Sequence, residues 1–255
     1  MRQILAAWLG IALLAATAQE PDKNAKAKES PVLLMSRPLG VNPGHKGKIT
    51  LNGLRINDIT EVISDTPGIK AKQSGKPRSF NPPKDFPKQK TGDGEVDVEL
   101  ELPPGFTGAS VALVAKGPKG VSPPLAISVD PSPAVAEKEP NDSFQQAQPI
   151  TLPATVSGAI NRDRDTDVFR FEGKAGETIR VDVLAARLGS PADLYLSAHD
   201  GERRILATCD DMPGSADPAI TLKLPRNGTY YLSLIESHDV GGPTFLYRMS
   251  ARLEK

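Results

Sequence analysis

The run Glu95-Val96-Asp97-Val98-Glu99-Leu100-Glu101-Leu102 alternates apolar and acidic residues without a break. Successive side chains of an extended strand point to opposite faces, so this run predicts a strand with one face in a core and the other in water. A helix would scatter the same valines and leucines around its circumference. Pro103-Pro104-Gly105 ends the run. The short period recurs on both sides of it. Val32 to Met35 is apolar, Lys48 to Leu51 alternates, and Asn52-Gly53 gives a turn signal. Val111 to Ala115 and Leu125 to Val129 read as two more strands. A strand with one apolar face needs a second layer to cover it, so the prediction is an all-β chain of packed sheets.

The second half alternates as clearly. Phe169 and Phe171 flank Arg170; Ile179, Val181 and Val183 flank Arg180 and Asp182; Ile220, Leu222 and Leu224 flank Thr221 and Lys223. Tyr230, Leu232 and Leu234 follow, and Phe245, Tyr247, Met249, Ala251 and Leu253 close the series. Thr155 to Ile160, Leu194 to Ala198 and Arg204 to Thr208 bring the set to about eight strands. Pro131-Ser132-Pro133-Ala134-Val135-Ala136 reads as a connector. The expected fold is two tandem β-sandwiches, an immunoglobulin-like one over 31–130 and a second over 137–255, with a linker at 131–136.

Met1 to Ala18 reads as a signal peptide: Arg2 supplies the positive end, Ile4 to Ala16 the apolar run, and Ala16-Thr17-Ala18 the cleavage site. The run is too short for a spanning helix. Residues 19–30, polar and aperiodic, read as a flexible tether. The expectation is a secreted or periplasmic protein with no membrane span after signal cleavage and, with strands running almost to Lys255, no C-terminal anchor. Basic and acidic groups number 31 each, and neither half is basic enough to call for nucleic acid. The single cysteine, Cys209, has no partner for an internal disulfide and reads as a small apolar strand residue.

Between the strands of the first half lies a basic segment, with Lys70, Lys72, Lys76, Arg78, Lys84, Lys88 and Lys90 against Asp85 alone. Pro77, Pro82, Pro83 and Pro87 argue against regular structure there. It reads as a solvated insertion between two strands. A loop that holds an anionic polymer, with Phe80 and Phe86 for stacking, is the alternative.

Two acidic clusters stand out in the second half. In an extended segment Glu137, Glu139 and Asn141 share one side while Lys138 turns away, and Asp142 follows directly. Asp163, Asp165 and Asp167 repeat the arrangement, with Arg162 and Arg164 opposite. Two trains of oxygen ligands that converge repel each other unless a cation sits between them, and a hard cation taking six to eight oxygens matches this chemistry. Solvated acidic turns are the other reading of the same residues.

These residues also carry a resemblance. Glu137 to Phe144, Val156-Ser157-Gly158-Ala159-Ile160 and Asp165-Thr166-Asp167-Val168-Phe169-Arg170-Phe171 resemble the bacterial pre-peptidase C-terminal domain. The likeness continues through Ala192 to Leu196, Cys209-Asp210-Asp211 and Gly228 to Leu232, and so covers roughly 137–255. The family includes the collagen-binding modules of secreted collagenases. It implies a small jelly-roll-like β-sandwich and, in calcium-binding members, a structural Ca²⁺ between the acidic linker and an Asp-rich loop. Carried over, Glu137, Glu139, Asn141 and Asp142 match the linker and Asp165 and Asp167 the loop, with Asp163 less securely placed. Val168 departs from the family, where an aromatic is common. Residues 31–130 look similar to the Ig-like modules that precede such domains in exported bacterial proteins.

The sequence shows no His-Glu-x-x-His, Gly-x-Ser-x-Gly, P-loop or dinucleotide fingerprint. His45, His199 and His238 lie beside Gly, Asp or Pro and read as loop residues, and neighbouring His199-Asp200 or His238-Asp239 is no evidence of a triad. No catalytic residue is therefore expected. The favoured function is a non-catalytic exported module that binds extracellular protein or polysaccharide. An accessory subunit of a secreted peptidase is the first alternative, and a hydrolase with an unrecognised site the second.

Overall fold

The computed structural model describes residues 30–82, 86–130 and 134–254. The signal peptide expected at 1–18 and nearly all of the tether expected at 19–30 lie outside them. Strands form wherever the alternation predicts one. In the first sandwich these are β1 (Val32–Arg37), β3 (Lys46–Leu54), β7 (Gly94–Glu101), β8 (Ser110–Gly117) and β10 (Leu125–Val129). Five strands without a sequence signal complete it: β2 (Gly40–Val41), β4 (Glu61–Ser64), β5 (Lys70–Gln73), β6 (Arg78–Ser79) and β9 (Gly120–Val121). One sheet runs β1-β3-β7-β5 with β6 also on β7, and the other β2-β10-β8-β4 with β9 on β8. Val96, Val98 and Leu100 of β7 meet Val111 and Leu113 of β8 in the core between them.

Asn52-Gly53 is not a turn. Both residues lie within β3, paired with β1 and β7. A Cβ at Gly53 would come within 2.3 Å of the Val32 carbonyl, so the glycine serves close backbone approach rather than chain reversal.

The basic segment is also built in rather than looped out. β5 and β6 pair with β7, which places Lys70 opposite Glu101, Lys72 opposite Glu99 and Arg78 opposite Glu95. Arg78 bonds Glu95 at 2.6 Å and Asp97 at 3.1 Å, Lys48 lies 3.5 Å from Asp97, and Arg37 also reaches Glu95. The acidic face of β7 and the cations of the insertion thus neutralise each other. The prolines do not prevent this: Pro77 and Pro82 fall outside the paired residues, and Pro87 immediately precedes a short helix, α1 (Lys88–Thr91). Phe86 stacks edge-on against Phe245 of the second sandwich, ring centroids 5.1 Å apart.

The second sandwich contains the eight expected strands: β13 (Ala154–Ala159), β14 (Thr166–Gly173), β15 (Thr178–Leu184), β16 (Leu194–His199), β17 (Ile205–Cys209), β18 (Ala219–Lys223), β19 (Gly228–Glu236) and β20 (Leu246–Glu254). Two short strands add to them, β11 (Ala134–Ala136) and β12 (Gln148–Pro149). The sheets run β11-β13-β20-β15-β18 and β12-β14-β19-β16-β17. The end of the expected linker is therefore an edge strand: Ala134–Ala136 pairs parallel to β13. Phe169, Phe171, Val181, Leu232, Tyr230, Tyr247 and Met249 fill the core.

The two sandwiches touch directly. Arg248 of β20 is buried, its Nη2 lies 3.4 Å from Asp130 Oδ2, and a Cβ on Gly40 would meet its Nη1 at 2.4 Å. Among the described residues no helix is long and apolar enough to cross a membrane.

Candidate metal centre

Asp167 is the first member of the inward-facing row of β14, with Phe169 and Phe171 at the same parity. That row faces the opposite sheet, so the carboxylate lies fully buried between the two layers. Asp165 stands two residues earlier, just ahead of the strand, and is buried as well. The acidic segment after β11 is laid over them. The Val168 N–H donates to the Asn141 carbonyl at 3.0 Å, and Asn141 has no exposed surface.

Carboxylate oxygens of Glu139, Asp165 and Asp167 lie within 4.8 Å of one another. Two ligands of one calcium ion stand at most about 5 Å apart, twice a metal–oxygen bond of roughly 2.5 Å, so the spacing fits. Asn141 Oδ1, Asp165 Oδ1 and both oxygens of Asp167 are buried with no hydrogen-bond partner among the described residues. Buried polar atoms are nearly always hydrogen-bonded, and buried carboxylate and amide oxygens left without a hydrogen bond are donors of the kind a hard cation takes.

The electrostatics point the same way. Burial, and after it the neighbouring Glu137 carboxylate, pushes the Asp167 carboxyl up to about 10. Burial also raises Asp165, against the opposing pull of the Asn161 N–H and the Arg162 guanidinium. Burial and then Asp167 hold the Tyr247 hydroxyl well above its ordinary value. Among the described residues the cation facing these acids is Arg162, whose guanidinium lies at the solvent edge.

The other expected ligands take different places. Glu137 is committed to the protein. Its Oε1 accepts from Tyr247 at 2.7 Å and from Asn141 Nδ2 at 3.0 Å, and its Oε2 from the Ala159 N–H at 2.9 Å. It holds the Asn141 amide through Nδ2, which leaves Asn141 Oδ1 buried without a hydrogen bond. Asp142 pairs with Arg162 at 2.7 Å. Asp163 leaves the cluster because Arg164, at φ 60°, turns the chain and breaks the alternation. Its Oδ1 instead accepts the Gly241 N–H at 3.2 Å. Asn161 was not singled out by sequence reasoning, yet its Nδ2 holds Glu139 Oε1 at 2.9 Å and its N–H holds Asp165 Oδ2 at 2.6 Å. A polar loop residue next to an acidic cluster carries no signal that could have marked it.

Among the described residues His199 has no carboxylate hydrogen-bonded to its ring, and His238 lies 3.7 Å from Asp193 and from Glu236 in an exposed position. His199 is not a loop residue but the last of β16 and is buried. Its Nε2 bonds Ser197 Oγ at 2.9 Å. Asp200 turns to Arg204 instead, at 2.9 and 2.8 Å. A serine–histidine pair without a carboxylate to orient the ring lacks the third group of a triad. Cys209 lies in β17, partly covered by the core.

Comparison with known proteins finds matches within the second sandwich. Residues 165–235 match the model of the bacterial pre-peptidase C-terminal domain, and the chain carries that domain. Over 99 residues it is 40% identical to a probable subtilase-type serine protease of Deinococcus radiodurans. The match covers 38% of this chain and spans only 14% of that relative's length. Among solved structures, the pre-peptidase C-terminal domain of Bacillus anthracis collagenase is 19% identical, with a TM-score of 0.35, over 42% of this chain and 94% of that one. The periplasmic lysozyme inhibitor PliG of Aeromonas hydrophila is 14% identical, with a TM-score of 0.32, over 42% and 99% of the two chains.

Proposed function

We propose that this is a non-catalytic exported protein in which an immunoglobulin-like module precedes a calcium-stabilised pre-peptidase C-terminal domain, and that it binds protein or polysaccharide outside the cytoplasm. The observation that carries the calcium reading is the set of four buried oxygens without a hydrogen bond on Asn141, Asp165 and Asp167. Glu139 adds an exposed carboxylate from the rim. Such a set would hold Ca²⁺ as a structural ion that neutralises the acids and ties the segment after β11 to the start of β14. The protein's own contribution is orientation: Glu137 aims Asn141, and Asn161 aims Glu139 and Asp165.

The immunoglobulin-like reading rests on strand order. β1, β3, β7 and β5 correspond to the A, B, E and D strands of one sheet, and β4, β8 and β10 to the C, F and G strands of the other. Export rests on the leader-like residues 1–18. The relationship to part of a subtilase-type protease favours a second reading, an accessory module of a secreted peptidase.

The test is an assay of the purified full chain against peptide and glycan panels for both binding and turnover. Saturable binding without turnover is expected. Turnover abolished by His199→Ala or His238→Ala would overturn the non-catalytic reading.

A further inference from the structure

The acidic segment and the Asp165 loop are already bridged by a cation of the protein's own. Arg162 Nη2 lies 2.7 Å from Asp142 Oδ1 and 3.4 Å from Asp165 Oδ1. The second of these oxygens is one of the four that lack a hydrogen bond. The backbone beneath this side chain is held in place. The Asp165 N–H donates to the Arg162 carbonyl at 3.2 Å. A Cβ added to Gly241 would come within 2.1 Å of that same carbonyl, so the 241 loop is packed hard against it. The guanidinium end is different, since 60% of the side chain is open to solvent and only ion pairs restrain it.

We propose that Arg162 is an internal counter-ion of this site, latching Asp142 to Asp165 in the metal-free protein and competing with a divalent cation for their oxygens. The proposal rests on the calcium reading above. Asp165 Oδ1 cannot face both a guanidinium and a calcium ion closely, because the two cations would then repel across a few ångströms. Binding therefore requires Arg162 to swing into solvent, which its exposure allows. The exchange raises the calcium concentration at which the site fills. It also keeps the linker seated below that concentration. Arg162 thus opposes cation binding while supporting the metal-free fold, and these two effects have opposite signs on removal.

The test is a calorimetric titration of the full chain with calcium chloride, together with melting in chelator, for wild type, R162Q and R162K. Losing two exposed ion pairs should tighten calcium binding roughly twofold to thirtyfold in R162Q. The same variant should melt lower than wild type in chelator. R162K keeps the charge but loses the planar fork, so its affinity should rise by less. Calcium binding by R162Q alone would support the latch in its strongest form. Binding by wild type with unchanged or weaker affinity in R162Q overturns the proposal and leaves the calcium reading standing. Absence of binding in every variant overturns both. If R162Q does not fold, an R162K affinity equal to wild type overturns the proposal.

Discussion

The Tyr247 hydroxyl donates to Glu137 Oε1 at 2.7 Å, joining two residues 110 positions apart. This contact ties β20 to the acidic segment and leaves Glu137 bonded within the protein, beside the proposed cation ligands. Tyr247→Phe should keep the buried ring but leave Glu137 short of a donor. A lost buried hydrogen bond to a charged group costs about 1.5–3 kcal/mol. Thermal melting should show a clear fall in the second sandwich, and an unchanged midpoint would mean that the contact contributes nothing to stability.

Phe86 should matter for stability although it lies in a proline-rich, basic stretch. It packs edge-on against Phe245 and against the core of the second sandwich. Phe86→Ala should cost about 1–3 kcal/mol, less than the 3–5 typical of a fully buried Phe, because the ring is only partly covered. Phe80, half-buried beneath the Arg37 guanidinium and not among the residues packed on either core, should lose less on the same change. Equal effects at the two positions in a denaturant titration would contradict this packing.

The cations of the same stretch should give little affinity for anionic polymers. Arg78 is already paired with Glu95 and Asp97. A charge reversal on the far strand, Asp97→Lys with Glu99→Lys, should create retention on a heparin-type column that the wild type lacks. Strong retention of the wild type at 0.15 M salt would show that the ladder leaves the patch free.

His199 makes the second sandwich sensitive to acid. Burial holds its imidazole below the ordinary value of 6.5, only partly opposed by the Arg203 backbone and Asp200. Phe144, Ser197 and Tyr231 surround it, and the Arg203 guanidinium lies over Phe144. The folded state therefore binds the proton less readily than the unfolded chain. The neutral ring's contribution is fully present above about pH 6.5 and is lost as pH falls through the folded value. The slope is at most about 1.4 kcal/mol per pH unit. Comparing midpoints at pH 7.5 and pH 5, His199→Gln should lose less stability than wild type, and an equal loss would remove His199 as the cause.

The eight strands of the second sandwich could be located from alternation alone, because each buries one face and the period shows. The same argument foretells the burial of Asp167, which shares parity with Phe169 and Phe171. What stayed hidden depends on partners distant in sequence. β5 and β6 form because β7 offers backbone groups to pair with, and their own residues, Lys70 to Gln73 and Arg78-Ser79, show no strand pattern. Glu137 looks like a ligand until Tyr247 arrives from the last strand. Asp163 looks like one until the left-handed Arg164 turns it away. Asn161 and Arg162 are ordinary polar loop residues whose roles exist only once the acidic segment folds over them.

The most direct test of the account is melting of the full chain in calcium chloride and in chelator, with Asn141→Ala and the pair Asp165→Ala, Asp167→Ala alongside. A ligand that binds only the folded state adds RT ln(1 + [L]/Kd), about 2.7 kcal/mol at a hundredfold excess over Kd. For a domain of roughly 100 residues each kcal/mol moves the midpoint by several degrees, on the order of 4–8 °C. The account predicts that calcium raises the wild-type transition of the second sandwich by at least that much and that the shift vanishes in the Asp165, Asp167 double variant. Identical wild-type curves in calcium and chelator, or a shift that survives the loss of both aspartates, would contradict it.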